Sequence, residues 1–175
     1  MRSLRLLLVI STFALAAAVP LASADGGRVV ASANGGSVLT LHDVFGLALV
    51  ELQPFTFTVQ IHEDGSVHGH YNYRSSEDGT PFNASGPITC AVIVGNRAIL
   101  GGLIESSSEP SLVGLDMWFQ VADNGEPGVD ATPDMSTLIG AGGAGSAQDY
   151  CDRAPQPRFP FPIEHGNIQV RASTG

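Results

Sequence analysis

The chain has 175 residues, with 17 acidic side chains against 8 basic ones and a formal net charge of −9; every basic residue is Arg, and Lys is absent. An acidic surface without a basic stripe repels phosphate backbones, which excludes nucleic acid as a natural partner. The length is enough for one domain with a real core.

Arg2 and Arg5 precede an apolar run from Leu6 to Val19, and Ala22-Ser23-Ala24 closes it with the small residues that signal peptidase reads. A signal peptide over residues 1–24 is expected, followed by a single β domain over 25–175. The run is short for a bilayer span of about 20 residues. No later segment approaches that length, no Cys follows the expected cleavage point, and no hydrophobic tail ends the chain. The expected mature protein is secreted to the extracellular side, soluble and without a membrane span. It is more acidic than the full chain, because the leader carries two Arg and no acid.

Arg28 to Leu41 reads as one or two strands around Asn34-Gly35-Gly36. His42 to Leu52 reads as a short helix, since Val44, Leu47 and Val50 recur near helical spacing, although Gly46 opposes it.

Phe55 to His62 alternates apolar and polar residues, the period-2 signature of a half-buried strand; Ser66 to Tyr73 alternates again after Glu63-Asp64-Gly65. A two-residue Asp64-Gly65 turn would pair Ile61 with His68 and put histidines on the apolar face. A three-residue loop with Gly65 left-handed pairs Phe57 with Tyr71 and Phe55 with Tyr73. It leaves Thr58, Gln60, His62, His68 and His70 on the other side. The apolar pattern selects the second register, because a one-residue slip sends every side chain to the wrong face.

Ile88 to Val94 and Arg97 to Ile104 form a second hairpin around Gly95-Asn96, where a leading Gly suits a type II′ turn. Both strands are apolar almost throughout, so both faces are expected to be covered. Leu112 to Ala122 alternates, with Val113, Leu115, Met117, Phe119 and Val121 opposite Asp116, Trp118 and Gln120. Asp123 to Gly128 is a turn cluster. Met135 to Ile139 is a short strand candidate, Gly140 to Gln148 a Gly/Ala-rich loop, and Arg153 to Pro162 an extended irregular stretch with four prolines. Asn167 to Arg171 closes as a strand. Cys90 and Cys151 are the two cysteines. In an oxidising compartment such a pair reads as a disulfide that ties the loose C-terminal stretch to the central hairpin.

Seven or eight short strands between turn signals give an all-β class, with an antiparallel barrel of about eight short strands in mainly meander connection, or alternatively a β-sandwich. The segments Asp64-Gly65-Ser66-Val67-x-Gly69, Thr89-Cys90-x-Val92-x-Val94-x-Asn96-x-Ala98-x-Leu100-Gly101-Gly102, Val121-x-Asp123-Asn124-Gly125-Glu126 and Gly166-Asn167-Ile168-Gln169-Val170 resemble those of a group of small secreted bacterial proteins. Similar stretches stand as modules at the ends of bacterial surface proteins. The resemblance covers most of residues 55–171 and implies a secreted all-β module. It carries no catalytic residues over.

Two constellations are candidate ligand sets. His62, His68 and His70 project from one face of one hairpin, with Gln60 and Glu63 beside them, and neutral imidazoles so arranged ligate zinc, copper or nickel. Asp123, Asn124 and Glu126, with Asp130 and Asp134, offer oxygen ligands on a loop, as weak extracellular calcium sites do. In each case the plainer alternative is a polar strand face or an ordinary polar turn. Asn83-Ala84-Ser85 has the form of a glycosylation sequon.

Nucleophile elbows, zincin helices, Walker loops and dinucleotide fingerprints are absent from the sequence. The expected function is therefore a non-enzymatic secreted module for binding or surface interaction, with no resident cofactor and with a protein or small molecule as partner. One alternative is a small-ligand carrier using a barrel interior. Another is a metal-binding protein using the histidine hairpin.

Overall fold

Alternating side chains drive long strands that form one continuous antiparallel sheet. The structure is a computed structural model that describes residues 27–42, 50–77, 80–126, 132–157 and 161–172. The expected signal peptide, residues 43–49, Pro127-Gly128 and Asp130 lie outside the described residues.

Strands β1 (Val29–His42), β2 (Val50–His62), β3 (Val67–Glu77), β4 (Thr80–Val94) and β5 (Arg97–Leu103) form a meander. The short β6 (Ser106–Ser107) pairs with β4, and β7 (Asp116–Ala122) continues the sheet beyond β5. Short strands β8 (Met135–Ser136) and β9 (Gly140–Gly142) both pair with β7, and β10 (Phe161–Pro162) pairs with β8. Last, β11 (His165–Ala172) returns to the far side of β1. The sheet runs β10-β8-β7-β5-β4-β3-β2-β1-β11 and curls into a half-barrel. This is the expected all-β, antiparallel, barrel-like class. Among the described residues no strand ladder joins β11 to β8 or β10, so the curl stops short of a closed ring.

The β2–β3 hairpin adopts the three-residue loop. Phe55 pairs with Tyr73, Phe57 with Tyr71, Thr58 with His70 and Gln60 with His68. His62 donates its N–H to Ser66 O at 2.9 Å, and Gly65 takes φ +84°. Phe55, Phe57 and Val59 are buried while Thr56, Thr58 and Gln60 are exposed. At the next turn Gly95 has φ +62° and Asn96 does not share a positive φ, as type II′ requires.

The concave side holds the core. The rings of Phe55, Phe57 and Phe119 meet at centroid distances of 5.6 to 6.1 Å, two of the three pairs edge to face. Val59, Ile88, Leu100, Val121 and Ile168 pack around them. Each large side chain so buried contributes about 1.5–3 kcal/mol.

The convex side of β4, β5 and β7 is covered by helix α1 (Ser146–Arg153), as the apolar character of that hairpin requires. Cys151 on α1 forms the expected disulfide with Cys90 on β4. The N–H of Ala147 also donates to Asp116 Oδ2 at 3.0 Å. An irregularity between Ile88 and Cys90 in the β4–β5 ladder turns Ile88 into the core and Cys90 toward α1.

Four expectations are corrected. Residues 42 and 50–52 are strand, not helix: the β1–β2 ladder runs as far as His42 opposite Val50, and its pairing outweighs helical spacing. The 140–148 loop is β9 plus the start of α1. Gly140 and Gly142 permit the strand, since a Cβ on either would lie within 3.0 Å of the Trp118 indole. The strand expected from Leu112 begins at Asp116, because Pro110–Leu112 is a 3-10 turn capped by Glu109 and followed by Gly114 at φ +87°. Val113 is accordingly exposed rather than buried with Met117. The stretch from Arg153 is likewise ordered at both ends, since Arg153 closes α1 and Phe161-Pro162 is β10.

Candidate functional site

At one end of the half-barrel the concave face opens into a cleft of about 620 Å³. Tyr71 and Tyr73 of β3, Phe82 and Ala84 of β4, and Ile104, Leu112, Met117 and Ile139 supply its apolar wall. Thr80, Ser108 and Glu109 stand at the exposed rim. Tyr73 and Phe82 meet edge to face with centroids 5.9 Å apart. The alternation of β3 places Tyr71 and Tyr73 on the concave side, and the cross-strand pair Tyr73–Ala84 leaves space where a large residue opposite would fill it.

Tyr71 is 2% exposed, and its O–H donates to Leu103 O at 3.4 Å. Burial pushes its hydroxyl well above the ordinary tyrosine range, so it stays neutral. The cleft is thus an aromatic and aliphatic hollow with a polar rim, of the size and character that suit one small ligand.

The histidine hairpin is formed as expected on the polar face. The structure brings His62 and His68 together, their rings perpendicular with centroids 5.1 Å apart. His62 Nδ1 lies 2.5 Å from Gly27 O, and since a carbonyl only accepts, the Nδ1–H donates to it and fixes the ring. His70 stands on the same face opposite Thr58. Among the described residues, no group of three His, Cys, Asp or Glu side chains converges on one point.

In the acidic loop the carboxylates of Asp123 and Asp134 accept backbone amides. Asp123 Oδ1 accepts from Gly125 N–H at 3.1 Å and Oδ2 from Val170 N–H at 2.9 Å. Asp134 Oδ1 accepts from Asn124 N–H at 2.8 Å and Oδ2 from Ile168 N–H at 2.7 Å. All four carboxylate oxygens therefore hold backbone amides, and two of those amides lie on the outer edge of β11. Asn124 adds a bond from Nδ2 to Pro133 O at 2.7 Å, while Glu126 is exposed. These acids bridge the gap in the sheet in place of a strand.

Sequence reasoning finds Tyr71 and Tyr73 through their alternation. It misses Phe82, Leu112 and Ile139, which come from three separate segments and meet only through the curl of the sheet. No family model matches the chain, and neither a curated protein nor a solved structure matches it.

Proposed function

We propose that the chain is a secreted, non-catalytic binding module that takes a small, largely apolar ligand in the cleft at the open end of the half-barrel. The observation that carries this reading is the hollow of about 620 Å³ bounded by Tyr71, Tyr73, Phe82 and Ile139. The disulfide supports an oxidising compartment. No helix among the described residues is long and apolar enough to cross a membrane. The resemblance to small secreted bacterial modules points the same way.

The test is native mass spectrometry of protein recovered from a secreting host under non-reducing conditions, followed by titration with the apolar fluorophore phenylnaphthylamine. Added mass from a small molecule and saturable fluorophore binding are expected. Ser75→Trp fills the cleft and should abolish the binding while the circular dichroism spectrum is kept. Undiminished binding by that variant ends the proposal.

The contact between His62 and His68 favours a second reading, in which the hairpin takes a transition metal such as zinc or copper through its imidazoles. Metal content that stays unchanged when His68→Ala is combined with His70→Ala removes it.

A further inference from the structure

Among the described residues no helix packs on the convex face of β11, β1, β2, β3 and the first half of β4. The chemistry of this face departs from that of the chain as a whole. The ladder Gly36–Thr56–Asn72–Ser85 crosses four strands, and Asn34–Thr58–His70 runs parallel to it one row away. Arg74 and Asn83 pair in the row on the other side. Thr56, Thr58, His70, Asn72 and Arg74 are all exposed.

Two shallow grooves of about 480 Å³ each lie on this part of the sheet and share Asn72 and Arg74. One reaches from there past Thr56 and Gly36 to His165 and Gly166 on β11, and the other past Asn83 and Ser85 on β4. Together they cross five strands, which at strand spacing is a path on the order of 20 Å. Gly36 adds no side chain beside Thr56, and Gly166 lets β11 approach the Gly36 carbonyl closely. Neither lining contains Asp or Glu, in a chain with 17 acids. Among the described residues no carboxylate pairs with Arg74.

We infer that this groove binds an acidic polysaccharide laid across the strands. A path lined by hydroxyls, amides, one guanidinium and an imidazole at its end matches a chain of hydroxyls and carboxylates. The absence of acids removes the repulsion that the rest of the surface imposes on an anion. The only apolar side chains the first groove offers beyond the buried strand phase are Val38 and Pro54, and the second adds Pro81, Phe82 and Ala84 at its far end, where it borders the cleft. A protein partner would want an apolar, aromatic centre to the patch, and a single small anion would leave most of the path empty. Arg74 supplies the carboxylate contact, and the Thr and Asn ladder takes the ring hydroxyls.

The first groove shares no lining residue with the cleft, whereas the second borders it through Ser75, Pro81, Phe82 and Ala84. Arg74 and Thr56 line the groove and not the cleft, so variants at those two positions let the two readings fail separately. The experiment is affinity electrophoresis of the intact secreted protein in native gels containing polygalacturonate or dextran. Retardation by polygalacturonate that weakens as salt is raised toward ~0.5 M is expected, with none by dextran. Arg74→Gln should weaken apparent affinity about tenfold, as loss of a charged contact does. Thr56→Glu, which puts an acid into the groove at an exposed strand position, should weaken it at least as much. Both variants should keep phenylnaphthylamine binding if the cleft is intact. Unchanged mobility in polygalacturonate overturns the inference. So does equal retardation by dextran, which would mark a neutral glycan surface, and so does wild-type affinity in a folded Arg74→Gln.

Discussion

Asp134 precedes Ile168 by 34 residues, yet its Oδ2 accepts the Ile168 backbone N–H at 2.7 Å. Asp123 and Val170 repeat the arrangement one strand period along, at 2.9 Å. Two carboxylates thus satisfy the outer edge of β11, where a closed barrel would place another strand. Unpaired strand edges otherwise template aggregation, so this clasp both fixes the curl and blunts an edge.

The clasp makes the first prediction. Asp134 is 6% exposed and holds two backbone amides, so Asp134→Ala leaves both without their acceptor, one of them buried. A loss of about 3 kcal/mol is expected from urea denaturation. Asp134→Asn keeps one carbonyl acceptor and should lose about half of that. If Asp134→Ala unfolds at the wild-type midpoint, the clasp contributes nothing to stability.

Legibility divides along range of interaction. The β2–β3 hairpin is readable because two period-2 segments and Gly65 restrict it to one register. The clasp is not, because Asp, Asn and Gly at 123–125 are what any turn uses, and their partners Ile168 and Val170 are remote in sequence. Helix α1 is hidden for another reason. It has eight residues, Gly145 before it supplies no capping side chain, and Cys151 and Ala147 hold it through tertiary contacts. The histidine face is legible as a face, but which two rings touch depends on the Gly27 carbonyl that fixes His62. The cleft is legible only in Tyr71 and Tyr73.

The disulfide makes the second prediction. Cys90 and Cys151 close a loop with a sequence separation of 61 and secure α1 over Gly101, where a Cβ would lie 2.7 Å from Cys90 Sγ. The double change Cys90→Ser with Cys151→Ser should lower stability by about 4 kcal/mol on loop-closure entropy. Calorimetry of the variant beside the wild type measures it. Equal melting temperatures would refute the assignment of stability to this link, and intact mass should show the loss of two hydrogens in the oxidised protein.

Gly65 separates conformational strain from crowding. A Cβ there meets nothing within 4 Å, while φ is +84°. Gly65→Val should therefore destabilise by about 2 kcal/mol through backbone strain alone. Gly65→Asn should lose much less, since Asn tolerates the left-handed region. Thermal melts of the two variants decide it, and identical melting temperatures would mean the turn does not need this conformation.

Tyr71 gives a pH prediction whose direction follows from burial. Its hydroxyl is pushed above the ordinary value of 10.0 because the phenolate is disfavoured beneath the cleft. Below that ordinary value both folded and unfolded chains hold the proton, and Tyr71 adds no pH dependence. Above it the unfolded chain releases the proton and the folded chain keeps it. Stability attributable to Tyr71 must then fall as pH rises, by at most about 1.4 kcal/mol per pH unit. Tyr71→Phe removes that slope. Its effect at neutral pH should stay under about 1 kcal/mol, because the bond to Leu103 O is long at 3.4 Å and the ring packing is retained. Urea midpoints of both proteins from about pH 7 to about pH 11 make the comparison. The curves should run together below the ordinary tyrosine range and diverge above it, with the Phe variant more stable. Parallel curves throughout would mean that the hydroxyl reaches water in the folded protein, and that the cleft floor is wetter than the packing around Tyr71 implies.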